Sequence, residues 1–85
     1  MMRVKKVLAK EFSPKGIKLE RTKSGRISGW LISKSFEGQA AVDRQQRLWK
    51  LLDKHLDPED NARIVGIFTV TPLEHKMLFE DGSEG

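Results

Sequence analysis

Eighty-five residues carrying a net charge of +4 make one small domain, and a chain of this length buries only about 60–65% of the surface it exposes when unfolded. A hydrophobic fraction of 38% beside 33% charged residues excludes both a membrane-embedded chain and an extended disordered one. The lack of cysteine excludes a disulfide framework, a redox thiol and a thiolate metal site.

Val4, Val7, Leu8 and Phe12 fall at helical spacing and predict an amphipathic helix over residues 3–12 with a Lys-rich outer face. Ser13-Pro14-Lys15-Gly16 stops it, because the residue before proline disfavours the helical region. Ile17 to Arg21 alternates with period two, as a strand with one buried face does. Thr22-Lys23-Ser24-Gly25 reads as a turn, and a second strand runs from Ile27 to Lys34, giving an antiparallel hairpin.

After Gly38, the residues Val42, Leu48, Trp49, Leu52 and Leu56 lie on one helical stripe, with Leu51 beside it. Arg44, Arg47, Lys50 and Lys54 are expected outside that stripe, and Gln45 at its edge. Asp57-Pro58-Glu59 has the form of an N-cap followed by proline at the first helical position. Residues 64–71 are β-rich and apolar on both faces, as a central strand is, with Val65 and Ile67 on one side and Ile64, Phe68 and Val70 on the other. Thr71-Pro72-Leu73-Glu74 fits a capping box that opens a last helix reaching about Phe79. Residues 1–80 are expected to form the domain and 81–85 a flexible acidic tail. The expected architecture is α+β, in the order α-β-β-α-β-α, with a three-stranded sheet and helices packed on one face. Apolar runs are too short to span a membrane, and Val7-Leu8-Ala9 is too short for the core of a secretory signal, so the expected compartment is the cytoplasm.

Catalysis has no visible apparatus. The two histidines, His55 and His75, have no second ligand at i+3 or i+4, there is no thiol nucleophile, and Gly25 and Gly29 fit neither phosphate-loop nor dinucleotide spacing. No enzyme activity, metal or cofactor is expected. The charge is more informative. Residues 1–36 hold ten Lys/Arg against Glu11 and Glu20, while the remainder is acidic by four charges. A basic half on a chain of pI 9.6 is an electrostatic footprint for nucleic acid.

Phe36-Glu37-Gly38, Arg44 and its amphipathic helix, and a β-rich segment ending in Thr71-Pro72-x-Glu74 together resemble the BolA-like family. The likeness covers residues 3–78 and includes Phe12-Ser13-Pro14 and the run into Ser33-Lys34-Ser35-Phe36. The resemblance implies a fold similar to a class II KH domain. It also implies two activities: DNA-binding regulation, and pairing with a monothiol glutaredoxin through a histidine-held [2Fe–2S] cluster. Gln45 and Arg63 stand where the family has histidine. Arginine does not deprotonate at ordinary pH and cannot ligate iron, so cluster binding is not expected, while contact with a glutaredoxin through protein surfaces alone would survive the loss.

Two functional expectations follow. In the first, Lys15, Lys18, Arg21, Lys23, Arg26, Lys34, Arg44 and Arg47 form a nucleic-acid-binding surface along the hairpin and the start of the long helix. No KH-type GxxG loop lies between helices, so duplex contact by the long helix is the preferred form. In the second, an open sheet face with Trp30, Ile32, Arg63 and Phe68 receives a protein partner.

Overall fold

The computed structural model describes the backbone of residues 2–84 and the side-chain surroundings of residues 3–79. Helix α1 (Met2–Leu8) buries Val4, Val7 and Leu8, the residues that its spacing places on one face. Beyond Leu8 the chain continues in turns, and Phe12 donates its N–H to the Leu8 carbonyl at 2.9 Å while its ring enters the core. The regular helix thus ends four residues before the expected boundary. A one-turn 3-10 helix, Pro14–Gly16, then leads into the sheet, and Gly16 lies so close to the Ile32 carbonyl that any Cβ there would collide with it.

Strands β1 (Ile17–Arg21) and β2 (Ile27–Ile32) form the expected antiparallel hairpin, with Ile17 opposite Leu31 and Lys18 opposite Trp30. The connection closes when Gly25 donates to the Thr22 carbonyl at 2.9 Å. Gly25 has φ 84°, a left-handed conformation that suits glycine at the end of a three-residue hairpin loop. Strand β2 stops at Ile32, two residues early, because Ser33 Oγ accepts from the Ser35 N–H and starts a 3-10 turn, Lys34–Phe36. Helices α2 (Ala41–His55) and α3 (Pro58–Ala62) make the crossover to β3 (Ile64–Val70), which pairs in parallel with β2. The result is an α+β domain around a mixed sheet of order β1-β2-β3.

The pairing of β2 with β3 slips by one residue at its start: Ile27 faces Ile64, but Ser28 faces Gly66. Val65 is the extra residue of this bulge. The simple alternation expected for β3 is corrected accordingly. Ile64 and Ile67 both enter the core, Val65 is exposed, and Phe68 points to the opposite face. On the core face Ile17, Ile27, Leu31, Ile64 and Ile67 meet Val4, Val7 and Leu8 of α1 and Leu48, Leu51 and Leu52 of α2, with Phe12 and Phe36 filling the end. Full burial of a side chain such as Leu31, Leu48 or Phe36 contributes about 1.5–3 kcal/mol.

Helix α4 (Pro72–Glu84) corrects the expectation that all helices share one face. Its His75 and Phe79 rings reach Trp30, which lies on the face opposite Leu31. The capping box is present in both halves: Thr71 N–H donates to Glu74 Oε1 at 2.8 Å, and Glu74 N–H donates to Thr71 Oγ1 at 3.1 Å. The helix continues to Glu84, past the expected end near Phe79, since no proline follows Pro72 to break it. Of the expected tail, Gly85 lies outside the described residues.

Candidate nucleic-acid interface

The basic residues expected to act together separate into five groups. Arg44, expected on the surface, is buried. Its Nε donates to the Gln39 carbonyl at 2.9 Å, and its two terminal nitrogens grip the Glu74 carboxylate at 2.6 and 3.2 Å. One of them also reaches the Thr69 carbonyl at 3.3 Å. At the first turn of α2 the stripe places Val42 outside, 61% exposed, and turns Arg44 inward. A guanidinium is tolerated there because α4 supplies a carboxylate in fork geometry. The Arg44 guanidinium and the Thr71 N–H together hold the Glu74 carboxyl at about 2, below its usual 4.5.

Arg47 is likewise committed to the fold. Its guanidinium lies 4.9 Å from the Phe12 ring centroid and 5.7 Å from that of Phe36, with Ser35 Oγ at 3.2 Å and Glu11 at 3.6 Å. The duplex-reading surface expected on the long helix therefore loses its two arginines to structural work, and the remaining candidates belong to the hairpin.

Lys23 and Arg26 flank the tip of the β1–β2 loop, and both are exposed. Lys18 is the second residue of β1 and lies on the outer sheet face, opposite Trp30. Lys15 and Lys34 line a shallow groove at the other end of the hairpin, together with Ile32 and Pro72. Arg21 and Arg63, assigned above to different surfaces, line one cleft with Arg3.

The outer face carries an aromatic cluster. Trp30 and Phe68, on neighbouring strands, have ring centroids 4.7 Å apart. Phe79 meets Trp30 edge-on at 5.2 Å, and His75 does so at 6.0 Å. Phe68 is 63% exposed. These rings and Lys18 line a depression of about 430 Å³. Trp30 and Phe68 are the members of this cluster expected from the sequence; His75 and Phe79 are not, although their i, i+4 spacing on α4 is a signal for them.

Gln45 has a definite structural task. Val70 turns its carbonyl to Ser33 on the β2 side at 2.9 Å, so the Ile67 and Thr69 carbonyls point to the free edge of β3. Gln45 Nε2 donates to the Ile67 carbonyl at 2.9 Å and to Thr69 Oγ1 at 3.1 Å, while its Oε1 accepts from Trp49 Nε1 at 3.1 Å. Together with Arg44, it satisfies two carbonyls of this edge and binds α2 across it.

Among the described residues, no cluster of three His, Asp or Glu side chains is placed to hold a metal ion, and no helix is long and apolar enough to cross a membrane. Comparison with family models, curated proteins and solved structures gives no match to this chain.

Proposed function

We propose that the protein is a non-catalytic, BolA-like module of class II KH-like shape that binds nucleic acid and acts in regulation. The observation that carries this reading is the exposed cationic hairpin, with Lys18, Lys23 and Arg26, beside the exposed Phe68 and the half-buried Trp30 that it packs against. Lysine and arginine neutralise phosphates and release counterions, while exposed rings on a sheet give unpaired bases a surface to stack on. With Arg44 buried and Arg47 engaged by Phe12, Phe36 and Glu11, single strands are favoured over the duplex contact expected from the long helix. Fluorescence anisotropy of labelled single-stranded and duplex oligonucleotides tests this at about 50 and about 200 mM salt. Micromolar single-strand binding that weakens roughly 50-fold over that range, as about four phosphate contacts require, supports the reading. No binding at the lower salt overturns it.

A protein-interaction adaptor, with a monothiol glutaredoxin as the partner implied by the resemblance, is the second reading. It is favoured by the apolar exposure of Phe68, Leu73 and Met77 on the same side of the molecule as α4. It needs no [2Fe–2S] ligand from this chain. A pull-down with a monothiol glutaredoxin that is abolished by Trp30→Ala and untouched by Lys23→Glu supports this reading over the first.

A further inference from the structure

At the hairpin end of the core face, α1, β1 and the α3–β3 junction surround a cleft of about 500 Å³ lined by Arg3, Val4, Arg21, Gly25, Ile27, Asp60 and Arg63. That volume lies within the ordinary range for small-molecule sites. Its floor is apolar, and Arg3, Arg21 and Arg63 bring three guanidiniums to it beside Asp60. Arg3 pairs with Asp60 at 3.1 Å and lies 3.8 Å from Asp57, so among the described residues Arg21 and Arg63 are the cleft cations with no carboxylate partner.

The choice of side chain is selective. The chain has six arginines among sixteen basic residues. Arg44 is buried and Arg47 packs half-buried on two phenylalanines, three line this cleft, and no lysine does. A planar guanidinium presents paired N–H donors that match phosphate oxygens, whereas lysine offers a point charge. Backbone constraints fix where these side chains start. Arg63 caps α3, and its carbonyl accepts from Ile27 N–H at 2.8 Å. Arg21 pairs with Ile27 across the hairpin. Asp60 bonds Arg3 at 3.1 Å, holding that guanidinium at the cleft wall.

We propose that this cleft binds the phosphate dianion of a phosphomonoester, either the terminal phosphate of a nucleic-acid strand or a free mononucleotide. A dianion matches Arg21 and Arg63, the two guanidiniums that stand apart from the Arg3–Asp57–Asp60 cluster, and the apolar floor of Val4 and Ile27 faces the remainder of the ligand. The strand-end form rests on the nucleic-acid reading above, and the free-nucleotide form does not.

The test uses the full chain with two single-stranded oligonucleotides of one sequence, one ending in a 5′-phosphate and one in a 5′-hydroxyl. Adenosine monophosphate and adenosine are titrated separately by calorimetry. The expected result is roughly tenfold tighter binding of the phosphorylated strand, or binding of the monophosphate but not the nucleoside. Arg63→Gln and Arg21→Gln should each abolish that preference, while Arg63→Lys keeps part of it. The hydroxyl strand should bind the two Arg63 variants as it binds the parent chain. A preference confined to strands identifies a strand-end site, and one shared by the monophosphate identifies a nucleotide site. If neither oligonucleotide binds but the monophosphate does, the nucleic-acid reading fails and the cleft stands. Equal affinity for both strands, with no monophosphate binding, overturns the proposal whatever the hairpin does.

Discussion

Arg44 and Glu74 face each other as a two-pronged pair, at 2.6 and 3.2 Å, and tie the first turn of α2 to the first turn of α4. The same carboxylate caps its own helix through the Thr71 N–H. One acidic group therefore holds a helix start and an inter-helix contact together.

This dual role makes stability depend on acid in a definite direction. The folded Glu74 carboxyl titrates at about 2 instead of 4.5. A depressed carboxylate stabilises the fold fully above its unfolded value, and the contribution is lost as pH falls through the window down to about 2. The urea midpoint should decline across that window, and Glu74→Gln should flatten the decline. At neutral pH the substitution should cost about 1 kcal/mol, a modest figure because the Glu74 side chain is 44% exposed and solvent screens the pair. An unchanged acid profile in Glu74→Gln would exclude this pair as its source.

Gln45 offers two donors and one acceptor, and all three are used, by Ile67, Thr69 and Trp49. A neutral imidazole offers one donor and one acceptor, so Gln45→His should leave one edge group unpaired. Its expected cost is about 1 kcal/mol, and that of Gln45→Ala about 2 kcal/mol, read from denaturant midpoints with unchanged m-values. Equal stability of Gln45→His and the parent chain would mean that the edge bonds contribute little.

Element order, the hairpin, the capping box and most core positions were legible because each depends on local chemistry: period, proline and glycine placement, and one short-range reciprocal bond. What was not legible depends on distant partners. The inward turn of Arg44 needs Glu74, thirty residues away, and the packing of Arg47 needs two phenylalanines before it in the chain. The bulge at Val65 arises only when β3 meets β2, so alternation read along one strand assigns Val65 and Ile67 to a common face. Likewise, nothing local places His75 and Phe79 over Trp30. The arginine cleft joins residues 3, 21 and 63, a convergence that charge counting along the chain resolves only as a basic half.

The division between surface and structural cations has a measurable signature. Lys23→Glu with Arg26→Glu should make the log–log salt slope of single-strand binding shallower by about 1–2. Arg47→Ala should leave that slope unchanged and lower stability by about 1 kcal/mol through lost packing on Phe12 and Phe36. If Arg47→Ala weakened binding as much as the hairpin reversal while the fold stayed intact, Arg47 would belong to the interface.

Phe68 and Trp30 share one cluster but should respond differently to truncation. Phe68 is 63% exposed and contacts Trp30 along one side, so Phe68→Ala removes little buried area and should cost under about 1 kcal/mol of stability. Trp30 is half-buried and touches Phe68, His75 and Phe79, so Trp30→Ala should loosen α4 as well. A base stacked on an aromatic side chain is worth about 1–3 kcal/mol, so Phe68→Ala should weaken single-strand binding by about tenfold or more. It should leave the melting temperature nearly unchanged and duplex binding unaffected. Bound strand should also quench Trp30 emission in a Trp49→Phe background, since a base stacked beside Phe68 lies against that indole. Retained affinity in Phe68→Ala, with quenching absent, would remove the sheet face from the interface and leave the hairpin cations as its whole extent.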